Sequence, residues 1–123
     1  MVIPYDYIVI GGGSAGIASA NRAAMYGAKV LLAEGKEIGG TCVNLGCVPK
    51  KVMWYGAQVA DILGTYAEDY GFDLKEKTFD FKRLKANRQA YIERIHASYE
   101  RGFEQNGVCL LYTSDAADER SSV

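Results

Sequence analysis

The sequence has few of the residues that cross-link a fold or bind metals, with three cysteines, two prolines and one histidine among 123 residues. An odd cysteine count argues against a structural disulfide framework and favours a redox or catalytic role for some of the three. The additional cysteines and histidines of a zinc site are missing, so we expect no metal. Because 14 Lys and Arg balance 15 Asp and Glu, neither nucleic-acid binding nor a polybasic membrane anchor is indicated.

Long apolar runs are also missing. No stretch approaches the roughly 20 residues that span a bilayer, and the opening MVIPYDYIVI lacks the basic start of a signal peptide. We therefore expect a cytoplasmic protein that binds small molecules or proteins and neither membrane nor nucleic acid. The hydrophobic fraction of 49% and the charged fraction of 24% are typical of a globular domain.

The first third of the chain predicts a βαβ unit. Residues 5–10 form an apolar run typical of a buried strand, residues 14–26 favour a helix closed by Gly27, and residues 29–33 predict a second buried strand. Two strands joined by a helix within about 30 residues are parallel, with a right-handed crossover. The fold class is therefore α/β.

Two further helices are predicted after a glycine-rich loop around Cys42 and Cys47. Pro49 suits the first turn of a helix that runs to about residue 66 with an apolar face. Asp80 can cap a second helix that ends at residues 106–107. On these helices we interpret Trp54 as a core residue and His96 as a surface or boundary residue.

The last residues differ from the rest of the chain. The segment CLLYTSDAADE, residues 109–119, resembles the in-frame translation of a transposase-end sequencing adapter. We therefore predict that residues 1–108 are the native part and that residues 109–123 are a non-native tail. The alternative is a genuine frayed tail that begins with a short strand.

A dinucleotide-binding pattern follows the first strand. Gly11-x-Gly13-x-x-Gly16 ends a strand and opens a helix, the context in which these glycines permit a tight turn, a close approach of pyrophosphate and close helix–strand packing. Glu34 follows the second strand, where a carboxylate binds ribose hydroxyls and repels a 2′-phosphate. The pattern favours FAD or NAD over NADP.

The cysteine pair is predicted to be catalytic. Residues five apart on a regular helix have Cα atoms about 8 to 9 Å apart, too far for a disulfide, so Cys42 and Cys47 cannot both lie on one ideal helix if they bond. Gly39, Gly40 and Gly46 would allow a distorted turn. A helix N-terminus and the neighbouring lysines are expected to lower the pKa values of the thiols. Two small buried cysteines are the alternative.

Two blocks, YDYIVIGGGSAGIASANRAA and GGTCVNLGCVPKKVMW, resemble the N-terminal FAD-binding region of the flavoprotein disulfide reductases, among them the glutathione reductases. The resemblance covers residues 4–108. Within this family, Lys50 favours the glutathione, trypanothione and high-molecular-weight thioredoxin reductases, because lipoamide dehydrogenases and mercuric reductases usually carry Ser at that position. The resemblance implies that residues 1–108 are a partial, Rossmann-like FAD-binding domain with a redox-active disulfide, the incomplete N-terminal part of a fold with two dinucleotide-binding domains.

The resemblance also implies a chemistry. NADPH reduces FAD, FAD passes two electrons to the disulfide, and the dithiol reduces glutathione disulfide. Cys47 would be the flavin-proximal thiolate, Cys42 the thiol that attacks the substrate, and Lys50 would lie near the flavin ring. The NADPH domain, and a dimer domain that supplies a His and a Glu from the partner subunit, lie outside this sequence. A homodimer is expected of the full-length protein, and this fragment alone is expected to be inactive.

The binding residues implied by the resemblance form two sets. FAD would contact Gly11, Gly13, Ser14, Ala15, Gly16, Glu34, Thr41, Cys42 and Lys50. Glutathione disulfide would contact Ser14, Asn21 and Tyr99, although Asn21 stands where some family members have an Arg. A trypanothione or thioredoxin reductase, and an FAD-binding module whose cysteines act only as a thiol switch, stay open as alternatives.

Overall fold

The computed structural model describes residues 3–112, which form a three-stranded parallel sheet with helices. In chain order the elements are β1 (Tyr7–Ile10), α1 (Ser14–Met25), β2 (Val30–Glu34), α2 (Gly40–Asn44), α3 (Cys47–Thr65), α4 (Phe81–Asn106) and β3 (Cys109–Tyr112). The strand order is β1-β2-β3. The predicted α/β class and the parallel βαβ unit are confirmed.

The central strand is β2, which pairs with both neighbours. Tyr7 of β1 lies opposite Val30, and Leu110 of β3 lies opposite Leu32. The strand that the sequence allowed at residue 109 is therefore present as β3. Residues 113–123, most of the predicted non-native tail, lie outside the described part of the chain.

The core lies between one face of the sheet and helices α1 and α4. Because side chains alternate along a strand, Val30 and Leu32 point to this face together, and their side chains are 1% and 0% exposed. Ile17 and Ala20 of α1 and Phe103 of α4 pack onto them. This core holds the two helices in fixed positions relative to the strand ends.

The opposite face of the sheet corrects one prediction. The run at residues 5–10 was expected to be a buried strand, but β1 begins at Tyr7, and Ile8 and Ile10 are 56% and 90% exposed. Val9 is the one buried residue of β1, and Tyr7 on the same face bonds through its hydroxyl to Ser19 of α1 at 2.7 Å. The prediction was wrong because no helix or strand within residues 3–112 covers this second face.

Helix α3 confirms a predicted helix and corrects its burial. Its bounds, Cys47–Thr65, match the expected end, but none of its residues is buried, and Trp54, interpreted as core, is 60% exposed. It packs on α4 through a close approach, since a Cβ at Gly56 would lie 3.1 Å from Leu84 Cδ2. It also contacts the short helix α2, and no strand of residues 3–112 packs extensively on it.

The capping residues of α4 behave as predicted. The Asp80 side chain accepts a hydrogen bond from the Arg83 N–H at 3.1 Å, and Gly107 ends the helix in a left-handed conformation with φ of 73°.

None of the helices in residues 3–112 has the length and apolar character needed to cross a membrane.

Candidate functional site

The glycine turn links β1 to α1. Gly11 has a φ of 102°, which side chains disfavour. A Cβ at Gly16 would overlap the carbonyl oxygen of Gly11, so only glycine lets α1 begin this close to the strand. Gly13 has open space in front of it instead. The turn therefore offers room at the point where the pattern predicts a pyrophosphate.

The N-terminus of α1 faces this space. Gly13 is the N-cap and provides no side-chain hydrogen bond, and Ser14 and Ala15 in the first turn are exposed. The first N–H groups of a helix lack partners within the helix and carry a partial positive charge. The predicted residues Gly13, Ser14 and Ala15 therefore form a surface suited to an anion.

Glu34 ends β2 and is held by backbone donors. Strand β2 includes Glu34 itself, one residue beyond the predicted end. One carboxylate oxygen accepts the Gly12 N–H at 2.5 Å, and the other accepts the Lys36 N–H at 2.8 Å. These bonds fix the negative charge beside the glycine turn, as a ribose-binding carboxylate requires.

A break between two helices brings the cysteines together. Cys42 lies on the short helix α2, which the sequence did not predict, and Cys47 is the first residue of α3. A Cβ at Gly46 would lie 2.9 Å from the Thr41 carbonyl oxygen, so glycine allows the chain to fold back on α2. The prediction that the pair cannot share one regular helix is confirmed.

The two thiols differ in acidity. The hydrogen bond that the Cys42 thiol donates lowers the pKa of Cys47, and the Cys47 backbone N–H and the charges of Lys50 and Lys51 lower it further, against partial burial. The same bond to Cys47 raises the pKa of Cys42, and burial adds to this. The expectation that both pKa values fall is wrong for Cys42, because two adjacent thiols cannot both ionise easily.

The segment that carries the two cysteines, residues 39–47 and here called the cysteine segment, is attached directly to the glycine turn. The Gly39 N–H donates to the Gly12 carbonyl at 2.7 Å, and a Cβ at Gly40 would lie 3.0 Å from the Gly13 Cα. Two glycine-rich loops that are distant in sequence therefore touch through their backbones. The contact places the thiols and the predicted nucleotide turn in one region.

A cleft of about 400 Å³ opens beside this contact. Glu34 and the exposed Thr41 both line this cleft. Lys50 is also exposed, one turn into α3 on the cysteine side. The cleft therefore brings Glu34 and Thr41 together beside the glycine turn, whereas Cys42 lies next to Thr41 on α2 and Lys50 lines a separate pocket with Lys51 and Trp54.

The predicted substrate residues lie on two neighbouring helices. Helices α1 and α4 each lead into a strand of a parallel sheet, so they run parallel to one another, and they pack together. Asn21 accepts a hydrogen bond from the Asn106 side chain at 2.8 Å. Ser14 and the half-buried Tyr99 each lie seven residues before that bonded pair, which places them at a corresponding level.

Two residues of the cysteine segment's surroundings were missed by the sequence analysis. Asn44 lies between the cysteines and bonds to His96 of α4, with 2.7 Å between Asn44 Oδ1 and His96 Nε2. The asparagine was visible in the cysteine motif, but nothing in the sequence connects two residues 52 positions apart.

Comparison with known proteins identifies the family. The sequence profile of the pyridine nucleotide-disulphide oxidoreductases matches residues 5–119. The chain is 56% identical over 112 residues to a glutathione reductase of Yarrowia lipolytica and 50% identical over 115 residues to one of Debaryomyces hansenii. Each alignment covers 88% of this chain but only 24% and 23% of the relatives, so the chain spans about a quarter of their length.

The extent of the profile match agrees with the geometry of the site. The match includes the glycine turn, Glu34 and both cysteines, and in the structure the glycine turn lies at the carboxyl ends of β1 and β2, bonded to Glu34 and to the loop that leads into α2. The chain therefore belongs to the pyridine nucleotide-disulphide oxidoreductase family.

Proposed function

We propose that this chain is the N-terminal part of an FAD-dependent glutathione-disulfide reductase, in which electrons pass from NADPH through FAD to the Cys42–Cys47 pair and then to glutathione disulfide. The observation that carries the proposal is the contact between the cysteine segment and the glycine turn, in which Gly39 bonds to Gly12 at 2.7 Å. A nucleotide on the turn and a thiol pair beside it are the two parts that such an electron transfer needs. The names of the two yeast relatives support glutathione disulfide as the substrate.

The residues around the turn fit FAD. Open space at Gly13 leaves room for the pyrophosphate, and the exposed first turn of α1 supplies its donors. The oriented Glu34 carboxylate suits the ribose hydroxyls, and the cleft between Glu34 and Thr41 leaves room for the adenosine. When bound, FAD would accept a hydride from NADPH and supply two electrons to the disulfide.

Cys47 and Lys50 would serve the flavin side of the pair. The lowered pKa of Cys47 favours its thiolate, the reactive form of cysteine. The exposed Lys50 ammonium stabilises that negative charge and would stabilise charge on a neighbouring flavin ring. These properties support the assignment of Cys47 as the flavin-proximal thiolate.

Cys42 would react with the substrate. Its thiolate attacks one sulfur of glutathione disulfide, which forms a mixed disulfide and releases one glutathione thiolate. The Cys47 thiolate then attacks the Cys42 sulfur, releases the second glutathione and leaves a Cys42–Cys47 disulfide. The two thiol protons end on the two glutathione molecules. Because the pKa of Cys42 is raised, its attack needs a proton acceptor, a role that the resemblance gives to a His of the partner subunit.

Ser14 and Tyr99 would contact glutathione disulfide from adjacent helices. Asn21 would reach it only by exchanging its present bond to Asn106.

We also propose that the full-length protein is a cytoplasmic homodimer, and that residues 109–123 are not native. The odd count of three cysteines, which argues against a framework of structural disulfides, agrees with a reducing compartment.

The test uses the full-length protein that carries this segment. NADPH-dependent turnover is measured with glutathione disulfide, trypanothione disulfide and oxidised thioredoxin, and bound FAD is measured after dialysis. We expect preference for glutathione disulfide, and loss of turnover in Cys42→Ser with flavin reduction by NADPH retained. Glu34→Ala should retain less FAD. Unimpaired turnover in Cys42→Ser, or preference for another disulfide, would contradict the proposal.

A further inference from the structure

The cysteine segment is held by a side-chain hub at Asn44. Asn44 is the last residue of α2, two residues after Cys42 and three before Cys47. Its Nδ2 group donates to the carbonyls of Ile38 at 3.1 Å and Gly40 at 2.9 Å, and more weakly to Glu37 at 3.4 Å. One side-chain amide therefore connects the last residue of α2 to the backbone at the start of that helix.

The donors of Asn44 fix the role of His96. Because the Nδ2 group of Asn44 faces backbone carbonyls, its Oδ1 must be the atom that faces His96. An amide oxygen can only accept, so His96 Nε2 carries the hydrogen and donates across 2.7 Å. Both the neutral Nε2–H tautomer and the imidazolium can make this bond.

The bond anchors the cysteine segment to a rigid element. His96 is half-buried on α4, and the same helix reaches the core through Ile92 and Phe103, which are 4% and 2% exposed. The segment itself contains left-handed glycines at 39 and 40, with φ of 103° and 64°, and a helix break at Gly46. A segment with this much backbone freedom needs an external constraint to keep two thiols in contact.

We infer that His96 is a positioning residue for the cysteine pair, acting through Asn44: its Nε2–H holds the Asn44 amide so that the α2–α3 break presents Cys42 to Cys47. The inference rests on the proposed function, because it assigns the pair a thiol–disulfide cycle. The bond that the structure gives to the His96 ring goes to Asn44 and not to a cysteine, so the role assigned to His96 is positioning.

The relevant reaction is exchange with glutathione. The reduced pair and one glutathione disulfide give the Cys42–Cys47 disulfide and two glutathione thiols, so two electrons leave the protein and both thiol protons pass to glutathione. The equilibrium constant of this exchange measures how often the two sulfurs meet, as an effective concentration. Loss of the anchor should lower the constant.

The experiment uses the whole chain, in dilute solution, with Cys109→Ser so that only the pair reacts. The chain is equilibrated with mixtures of reduced and oxidised glutathione, quenched with acid, and its dithiol, mixed-disulfide and internal disulfide forms are weighed by mass spectrometry. Relative to the parent, we expect His96→Ala to lower the constant about fivefold, the effect of one hydrogen bond. His96→Gln, whose amide can still donate, should restore most of it.

Two controls separate positioning from general stability. Asn106→Ala removes a comparable bond of 2.8 Å at the C-terminal end of α4 and should leave the constant unchanged even though the melting temperature falls. The double variant Asn44→Ala/His96→Ala should have the same equilibrium constant as Asn44→Ala alone, because the two residues act through the same hydrogen bond. If His96→Ala unfolds, as circular dichroism would show, His96→Phe keeps a ring without a donor and replaces it.

The outcomes distinguish the positioning role of His96 from the proposed function on which it rests. A parent chain that forms no internal disulfide, or no more than it forms in urea, refutes the redox role of the pair and with it the proposed function. A parent that forms it, with the same constant in His96→Ala, overturns the inference alone. A fall of the same size in Asn106→Ala, or no recovery in His96→Gln, also overturns it.

Discussion

Helices α1 and α3 differ in how they use their apolar residues. Helix α1 buries Ile17 and Ala20 against the sheet, whereas the longer α3 buries none of its residues and leaves Trp54 and Val59 60% and 55% exposed. The difference shows that apolar spacing predicts a helix but not its burial. Burial depends on whether another element covers the apolar face of a helix. Of these two helices, only α1 has its apolar face against the sheet of residues 3–112.

The largest expected effect tests the buried side of this comparison. Leu32 is fully buried beneath α1 and α4, so Leu32→Ala should lower the free energy of unfolding by about 2–5 kcal/mol. Val59→Ala on α3 should change it by about 0.5 kcal/mol or less. Urea denaturation followed by circular dichroism measures both. Equal losses would mean that α3 is packed as tightly as α1.

A pair of glycines gives the next effect. Gly16→Ala places a Cβ onto the Gly11 carbonyl and should cost about 1–3 kcal/mol of unfolding free energy. Gly64 on α3 has nothing within 4 Å of a Cβ, and Gly64→Ala should add about 0.5–1 kcal/mol of stability. The same denaturation experiment applies. A stabilising Gly16→Ala would show that the turn can open.

A smaller effect tests whether the two regions of α4 are independent. Asp80→Ala removes the N-cap bond at the end of α4 that packs on α3 and should cost about 1 kcal/mol. We expect faster amide hydrogen exchange at residues 81–84 and little change near Phe103, which lies in the core. Uniform loss of protection along α4 would contradict this.

The smallest effect concerns charge at the start of α3. Lys50 lowers the pKa of Cys47, so Lys50→Gln should raise it. A thiol with a lowered pKa is ionised at lower pH, and the alkylation profile of Cys47 should therefore shift to higher pH in the variant. The shift is measured as the pH dependence of the iodoacetamide reaction rate, in chains that carry Cys42→Ser and Cys109→Ser with and without Lys50→Gln. Lys77, whose ammonium bonds to the Leu63 carbonyl far along α3, provides the control variant Lys77→Gln. No shift, or an equal one in Lys77→Gln, would contradict the assignment.

Local sequence signals predicted the elements well because their causes are local. The Asp80 cap, the left-handed Gly107 and the glycine pattern at residues 11–16 each act within a few residues, and the structure has all three. Helix α2 was missed because a helix of only five residues that begins at a left-handed glycine, Gly40, directly after a second one, Gly39, resembles a loop. The shift of β2 by one residue reflects the extra pairing of Glu34 with β3.

Long-range contacts could not be predicted because no periodicity encodes them. His96 was interpreted as a surface or boundary residue, and only the packing of α4 against α2 brings it to Asn44. The raised pKa of Cys42 likewise requires knowing that its thiol bonds to Cys47. The backbone contact of Gly40 with Gly13 has no side chain through which a pattern could show it.

The uncovered face of the sheet has a consequence for the colloidal behaviour of the chain. Ile8 and Ile10 of β1 and Leu111 of β3 project from this face, 56%, 90% and 45% exposed, and the outer edges of β1 and β3 pair with no strand in residues 3–112. Contiguous apolar surface and open strand edges promote association between molecules. Chains of this length should therefore associate increasingly with concentration, and a charged residue in place of Ile10 should reduce that association without disturbing the helices.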